Sequence, residues 1–532
     1  MDTLTTHQSE SEERSPDNLL SIINSIRDTK IGNNNPDVNN GQNIYIFENK
    51  SVKSTPSVEK EIYVPRRHED QKIAEERSNF IKENFSRLCD VPSSQIWTTF
   101  KFDKKRQLPD SWKSCGLNNE LHENLVTAGY EVPREIQKYV VPLMMKGINL
   151  EVSARTGCGK TISYLIPVIQ GIIDLKSQRQ QKIPPLHPIA IIILPTFELS
   201  LQVSNNIFKL SKNTLVSCSR VLGGYTKFIN VQELQKGCDI VVATIGRLHD
   251  MLTDGRLSLY ELKYLIIDEC DYFLHNEVSN LLYQTVDFIK ENTKIMDITV
   301  SVFMSSSSPR IKEFLRHYFG DNFQEIKESK SISYGNMNFI SNPNIIYKMY
   351  FVKERSHKPN KLLEIINDIR EYDLSIDPKA CTRIIIFTDK IHWSKQITTF
   401  LRMDMESVYC NVFNSDLMPR EREKYLGEFQ MRMADIQILV STDVLSRGID
   451  IYSLNHIINY DLPECFEFFY HRCGRVGRIN NGMAHTIIDE NDPYDCSKVH
   501  HLMNLLVSTN QLDNTIQTKF YEMYKKYYSK YK

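Results

Sequence analysis

Residues 154–161 read Ala154-Arg155-Thr156-Gly157-Cys158-Gly159-Lys160-Thr161. The two glycines let backbone N–H groups wrap a phosphate, Lys160 reaches toward its outer oxygens, and the Thr161 hydroxyl can hold a divalent cation. Ala154 stands where the strict loop pattern has a first glycine. Behind the loop, the periodic stretch Thr161–Leu175 predicts a helix whose N-terminus adds partial positive charge. A loop of this kind sits between a strand and a helix, and the neighbouring sequence supplies that setting. Apolar runs at Ile189–Leu194, Ile240–Thr244, Leu265–Asp268 and Thr299–Met304 predict strands buried on both faces. A second set follows at Ile384–Thr388, Ile436–Thr442 and Ile457–Asp461, with helical patterns such as Lys361–Ile369 between. Alternating β and α predicts an α/β fold of doubly wound parallel sheets. The polar stretch Ser329–Asn344, with Gly335 and Pro343, separates the two strand sets and marks a boundary between two domains.

The 532 residues suffice for more than one core, and 41% hydrophobic with 25% charged residues is an ordinary globular balance. Lys+Arg 65 against Asp+Glu 66 gives a net charge of −1, which excludes nucleic-acid binding by bulk charge. Any phosphate-binding face must be local. No apolar run reaches membrane length and the N-terminus lacks a secretory pattern, so the expectation is a soluble intracellular protein, cytoplasmic or nuclear. The 11 cysteines include no C-x-x-C pair, which argues for reduced thiols and against structural zinc. The first 60 or so residues, rich in Ser, Asn, Asp and Glu, are expected to be disordered, with Leu19–Ile26 able to form a helix on a partner. Lys72–Phe85 reads as a solvated helix.

Two further stretches carry chemistry. In Leu265-Ile266-Ile267-Asp268-Glu269-Cys270-Asp271 an apolar strand ends in carboxylates. Asp268 can hold the cation and Glu269 can polarise an attacking water; the plainer reading is an acidic strand end facing solvent. Phosphate loop and acidic strand together indicate a nucleoside triphosphatase. The stretch Tyr470-His471-Arg472-Cys473-Gly474-Arg475-Val476-Gly477-Arg478 places three arginines at i, i+3 and i+6. Their guanidinium forks suit a triphosphate, and they lie in the other domain, so they could act as arginine fingers on closure. Surface ion pairs at a basic helix start are the alternative.

Taken in order, these motifs resemble those of the DEAD-box RNA helicases of superfamily 2, nearest to the Vasa-like branch, over about Trp97–Leu506. The resemblance implies two tandem RecA-like domains that use ATP and Mg²⁺ and bind RNA by its backbone. Gly129 to Gln137 resembles the Q motif, with Gln137 reading adenine and Trp112 stacking on it. Thr156, Gly157, Cys158, Gly159, Lys160 and Thr161 would form the nucleotide loop, and Thr161 and Asp268 the metal site. Glu269, Lys160, Arg475 and Arg478 would be catalytic, and Asp450 would also meet ATP. Pro195-Thr196, Gly223-Gly224 and Thr244-Ile245-Gly246-Arg247 match RNA-contact motifs of the first domain. Thr388, Arg422 and Thr442 match those of the second. Ser305 and Ser307 would couple Asp271 to His471 across the cleft.

The expected layout is a low-order extension 1–95, an ATP-binding domain 96–328, a flexible linker 329–344, a second domain 345–510 and a Lys/Tyr-rich tail 511–532. The expected state is a monomer with no membrane contact, the N-terminal tail serving protein partners. Several positions depart from the family's pattern. Phe197 stands in place of an Arg, Ile245 of a Pro, Cys270 of an Ala, Pro419 of a Gln and Val476 of a Thr, while Ser-Ala-Thr becomes Ser305-Ser306-Ser307. Most of these changes fall on the RNA and coupling side. They motivate a second reading, a nucleotide-gated RNA clamp without productive unwinding; a DNA helicase is a third. The Lys/Tyr-interleaved stretch Lys519–Lys532 could stack on bases or dock its Tyr side on the second domain.

Overall fold

The computed structural model describes residues 96–100, 108–179, 183–275, 278–328, 332–334, 337–339, 342–447, 451, 454–478 and 481–529, with positions 75 and 79. The expected extension 1–95 and the expected helix at 72–85 therefore lie almost wholly outside the described residues, as does Asp450.

The Ile/Val/Leu runs form strands because β-branched side chains fit a pleated surface covered on both sides. In chain order the first domain holds β1 (Ile96–Thr98), β2 (Asn149–Ser153), β3 (Ala190–Leu194), β4 (Cys218–Val221) and β5 (Ile240–Thr244). It continues with β6 (Tyr264–Ile267), β7 (Thr299–Met304), β8 (Ser306–Ser307) and β9 (Phe323–Glu328). Eight of these form one sheet in the order β1-β9-β2-β7-β6-β3-β5-β4, parallel except for β1 against β9. Alternate residues of β3 feed opposite layers: Ile192 joins the core on one face, Ile191 and Ile193 that on the other. Burial of each such side chain stabilises the fold by roughly 1.5–3 kcal/mol.

Beyond the first domain come β10 (Ile332–Tyr334) and β11 (Met337–Phe339), then β12 (Ile345–Val352), β13 (Thr382–Phe387), β14 (Val408–Phe413), β15 (Ile436–Ser441), β16 (His456–Asn459) and β17 (Gly482–Asp489). The last six form a second, all-parallel sheet in the order β12-β17-β16-β13-β15-β14. Its two faces again split alternate residues, Ile385 and Phe387 against Ile384 and Ile386.

Two features differ from expectation. The described parts of the linker are not featureless, since β10 and β11 make a hairpin that pairs onto β8 at Asn338↔Ser307 and Phe339↔Ser306. A two-residue strand leaves backbone donors and acceptors open, and the hairpin satisfies them. The tail forms a helix, Asn514–Ser529, docked on the second domain through Phe520 and Met523 while Tyr521 stays exposed. Tyr527 and Ile516 of the same helix, partly buried, pack against that core beside the apolar pair. No helix among the described residues is long and apolar enough to cross a membrane. The ten described cysteines are all free thiols.

In parallel sheets, ligand-binding loops collect beyond the carboxyl ends of the strands. The order of the first sheet sorts them. The loops after β2, β7 and β6 carry 154–160, 305–306 and 268–271, whereas the ends of the adjoining β3, β5 and β4 carry 195–197, 244–247 and 222–224. One half of the edge holds the phosphate and carboxylate chemistry, the other the motifs matched to RNA contact.

Candidate active site between two domains

The phosphate loop leads from β2 into the helix Lys160–Gln178, with Gly157 at φ 77° and Gly159 at φ 98°. A Cβ at Gly159 would stand 2.7 Å from Gln137 Nε2, so the position needs glycine for space as well as for conformation. Arg134 Nη1 donates to Gly157 O (2.6 Å) and Gln137 Nε2 to Gly159 O (3.2 Å). Gln137 Oε1 accepts from Arg134 N–H at 2.8 Å. Gln137, matched to adenine recognition, therefore has both ends of its amide engaged in holding the loop, and it is fully buried. Trp112, matched to stacking on the base, packs inward. It is 1% exposed in the first core, with its indole N–H donating to Tyr130 O at 2.8 Å, so no ring face is presented to a base. Lys160 Nζ donates to the carbonyls of Ala154 (2.5 Å) and Arg155 (3.0 Å), which poises the ammonium over the loop. Cys158 is a buried apolar filler beneath it.

Past β6, the carboxyl of Asp268 accepts from Tyr164 Oη at 2.9 Å and from Glu269 N–H at 2.9 Å. Burial, then the neighbouring Glu269 charge, push its pKa to about 7. The Tyr164 hydroxyl also meets Thr161, so both residues matched to a metal share one hydrogen-bonded chain. Glu269 adopts φ 51°, a left-handed conformation costing a non-glycine residue about 1–2 kcal/mol. That turn aims its carboxyl into the cleft, where Oε2 has no hydrogen-bond partner and only a 3.8 Å ion pair to Arg447. Burial raises this carboxyl, against Arg447 and Arg475.

Asp271 joins the two domains. Its Oδ2 accepts from the N–H and hydroxyl of Ser305 (3.1 and 3.0 Å) and of Ser306 (both 3.0 Å), and its Oδ1 from Arg447 Nη1 at 3.3 Å. Burial disfavours the charge, but Arg447 and the serine donors outweigh it and hold the carboxyl below its usual range. Ser305 and Asp271 were expected here; Ser307 does not join them. The second hydroxyl on Asp271 belongs to Ser306; both Ser306 and Ser307 run in β8 beside the hairpin. His471, fully buried, has Nε2 3.5 Å from Ser305 Oγ and 3.8 Å from Asp271 Oδ2, and burial holds it neutral.

Among the arginines of 470–478, Arg475 lies buried in the cleft with Nε donating to His471 O at 3.2 Å. Burial lowers its pKa to about 10, opposed by the nearby Glu269. Arg478 lays its side chain over Gly157, whose added Cβ would stand 3.1 Å from Arg478 Cγ. Thr156 Oγ1 donates to Gly474 O at 3.1 Å, a second tie between loop and arginine segment. Arg472 is different: it is spent on Asp443 (2.5 Å) and Asp461 O (2.7 Å) inside its own domain. Sequence reasoning gave Arg447 no role, although it stands in the quoted run Ser441 to Asp450. It is 1% exposed and pairs with Glu467 and Asp271 from opposite sides of the cleft.

On the RNA-matched half, Thr196 caps the helix Phe197–Leu210, accepting from Leu199 N–H at 3.2 Å beside the half-buried Pro195. Gly223 N–H donates to Thr244 Oγ1 at 2.9 Å, and Arg247 Nη1 to Tyr225 O at 2.6 Å. Gly224 is exposed and Gly246 half-buried on the same rim. In the second domain Thr388 is fully buried, its hydroxyl turned to the carbonyls of Lys390 and Ser441, so it is not offered to a phosphate. Thr442 is also buried, at 7% exposure. Arg422 reaches the first domain and donates to Glu198 Oε1 at 2.7 Å.

A phosphate loop and an acidic strand on one parallel α/β domain, completed by arginines from another, define a nucleoside triphosphatase of two tandem RecA-like domains. Comparison with known proteins narrows the class. The DEAD/DEAH box helicase family matches residues 134–314, and the helicase conserved C-terminal domain matches 358–480. The probable ATP-dependent RNA helicase vasa-like of Penaeus vannamei is 29% identical, over 80% of this chain and 57% of its own. ATP-dependent RNA helicase DBP2 of Eremothecium gossypii is 30% identical, over 80% and 70%. In fold the chain is similar to S. cerevisiae Dbp5 bound to RNA and ADP BeF3, with a TM-score of 0.59, 19% identity and coverage of 77% and 100%. The chain belongs to the DEAD-box ATP-dependent RNA helicases, a family that hydrolyses ATP. It spans just over half the length of the shrimp relative.

Proposed function

We propose that this chain couples ATP hydrolysis to RNA binding and to local separation of short duplexes. The observation that supports it most is the Asp271 junction, where the acidic strand, the serine pair after β7 and Arg447 of the second domain converge on one carboxylate. Lys160 and the loop N–H groups bind the triphosphate. Glu269, turned into the cleft, takes a proton from the attacking water, and Arg475 and Arg478 meet the charge that develops on the phosphoryl group. The residues fit a divalent cation: Asp268 is a buried carboxylate raised toward neutrality, and a cation held by it and Thr161 would restore its charge. Mg²⁺ there would offset triphosphate charge. RNA lies along the rim formed by Thr196, Gly223, Gly224, Thr244, Gly246 and Arg247, read through its backbone and so with weak sequence preference. The departures at Phe197, Ile245, Pro419 and Val476, on the RNA and coupling side, support the clamp as second reading.

ATPase with and without single-stranded RNA tests the assignment. Lys160→Ala should abolish binding and turnover, whereas Glu269→Gln should keep ATP binding and lose ~10²–10⁴ in rate. Wild-type turnover in Glu269→Gln would remove that residue from the mechanism.

The Asp271 junction gives a second expectation. A hydrogen bond to a charged group contributes ~1.5–3 kcal/mol, so deleting both serine hydroxyls should weaken the tie between hydrolysis and closure measurably. Ser305→Ala with Ser306→Ala should keep ATPase in the presence of RNA and lose unwinding of a short duplex, while Ser307→Ala alone should leave unwinding near wild type. If wild type hydrolyses ATP on RNA yet never separates the duplex, the clamp reading replaces the helicase.

A further inference from the structure

Two of the departures from the family's pattern, far apart in sequence, fall on one seam. Phe197 begins the helix after β3 and Pro419 begins the helix Pro419–Gln430 of the second domain. Phe197 is buried among Leu222, Tyr225 and Ile229, with Tyr225 packed edge-on at 5.2 Å. Its ring lies 5.5 Å from the Arg422 guanidinium. Arg422 is held at two more points: Nη1 to Glu198 at 2.7 Å, and Nε to Leu417 O at 3.2 Å. Pro419, also buried, closes on Gly224, where an added Cβ would stand 3.1 Å from Pro419 Cγ. The arginine matched to an RNA phosphate is thus seated on an aromatic face and a buried carboxylate of the opposite domain, and a proline caps the exposed glycine beside it.

An arginine at position 197 would place a second cation against Arg422 and leave Glu198 shared between them. Phenylalanine removes that repulsion and supplies a face for the guanidinium. We propose that Phe197, with Glu198 and Pro419, is a positioning element that docks Arg422 and closes the two domains by protein contacts, so that ATP turnover depends little on RNA. This rests on the ATPase reading above and adds its regulation. Closure is favoured before RNA arrives, because the contacts RNA would otherwise mediate between Arg422 and the first domain are already made.

The test is a titration of the full chain with single-stranded poly(U) at saturating Mg-ATP, for wild type, Phe197→Arg, Phe197→Trp and Pro419→Gln. Wild type should turn over without RNA at about half its RNA-saturated rate or more, and Phe197→Arg should lose about tenfold of the RNA-free rate, as expected for breaking a buried charge contact. The RNA-saturated kcat of Phe197→Arg should stay near wild type while its RNA concentration for half-activation rises. Phe197→Trp keeps the aromatic face and should behave as wild type; Pro419→Gln should shift in the same direction as Phe197→Arg. A second readout needs no turnover. With a non-hydrolysable ATP analogue and no RNA, small-angle scattering should give a compact wild type and an extended Phe197→Arg. Strict RNA dependence in wild type together with an extended wild-type form overturns the proposal. Absence of ATPase with or without RNA, equal to Lys160→Ala, overturns the underlying ATPase reading instead, and compactness then still decides the seam.

Discussion

Arg475→Ala is expected to lower turnover by on the order of 10³, or about 4 kcal/mol, with a much smaller effect on RNA affinity. The residue is 2% exposed and lies in the cleft beside Glu269, away from the RNA-matched rim. Burial lowers the pKa of the guanidinium, with the Glu269 carboxyl opposing the shift. A triphosphate entering this site exchanges that partial compensation for full neutralisation, and the gain is largest as charge builds in the transition state. Arg475→Lys should not restore the rate, because an ammonium cannot reproduce the planar fork. Arg472→Ala is the control three residues away. It removes the bonds to Asp443 and the Asp461 carbonyl, which hold its own domain together, so it should lower the melting temperature rather than kcat alone. Single-turnover ATPase and thermal melts of the two variants separate the roles. Unchanged kcat in Arg475→Ala would return that arginine to a structural part.

How much of this was readable in the chain itself depends on where water was excluded. Central strands are covered on both faces, so their apolar runs announce them: Thr299–Met304 was predicted to the residue and Ile189–Leu194 to within one. β4, at the sheet edge, carries Cys218-Ser219-Arg220-Val221 and shows no such run. β17 is buried along its whole length yet includes His485 and Thr486. Those polar groups are satisfied by neighbours distant in sequence, His456 and Tyr350 for the histidine and Asn459 for the threonine, so no local pattern betrays the strand. The site divides the same way. Loop chemistry at Gly157–Thr161 and the carboxylates at 268–271 are short-range and legible. The choice of Ser306 over Ser307 turns on which hydroxyl faces Asp271 after the chain leaves β7, which spacing does not encode. At Trp112 the spacing says only that an aromatic precedes the nucleotide motif, which reads the same whether the ring faces a base or the core.

Arg447 offers the other large expected effect. It is 1% exposed, bonded to Glu467 of its own domain, 3.3 Å from Asp271 and 3.8 Å from Glu269 of the other, with its guanidinium 4.9 Å from the Tyr272 ring. Burial alone would lower its pKa; the three carboxylates outweigh that and raise it above its ordinary value. Removing one partner of a buried ion pair costs about 3–5 kcal/mol, because the remaining charges lose their compensation without regaining water. In Arg447→Met the domains can escape that cost by separating, which returns Asp271 and Glu269 to solvent. The expected result is therefore a loss of turnover of about 10²-fold or more, with the melting of the second domain lowered by the loss of the Glu467 pair and that of the first little changed. The partners supply the check. Asp271→Asn added to Arg447→Met removes one orphaned charge, so the double variant should be less impaired than the sum of the singles, with a coupling of about 0.5–3 kcal/mol. Additive effects would mean that Arg447 and Asp271 act separately, and the cleft would then lack the charged tie that joins hydrolysis on one domain to movement of the other.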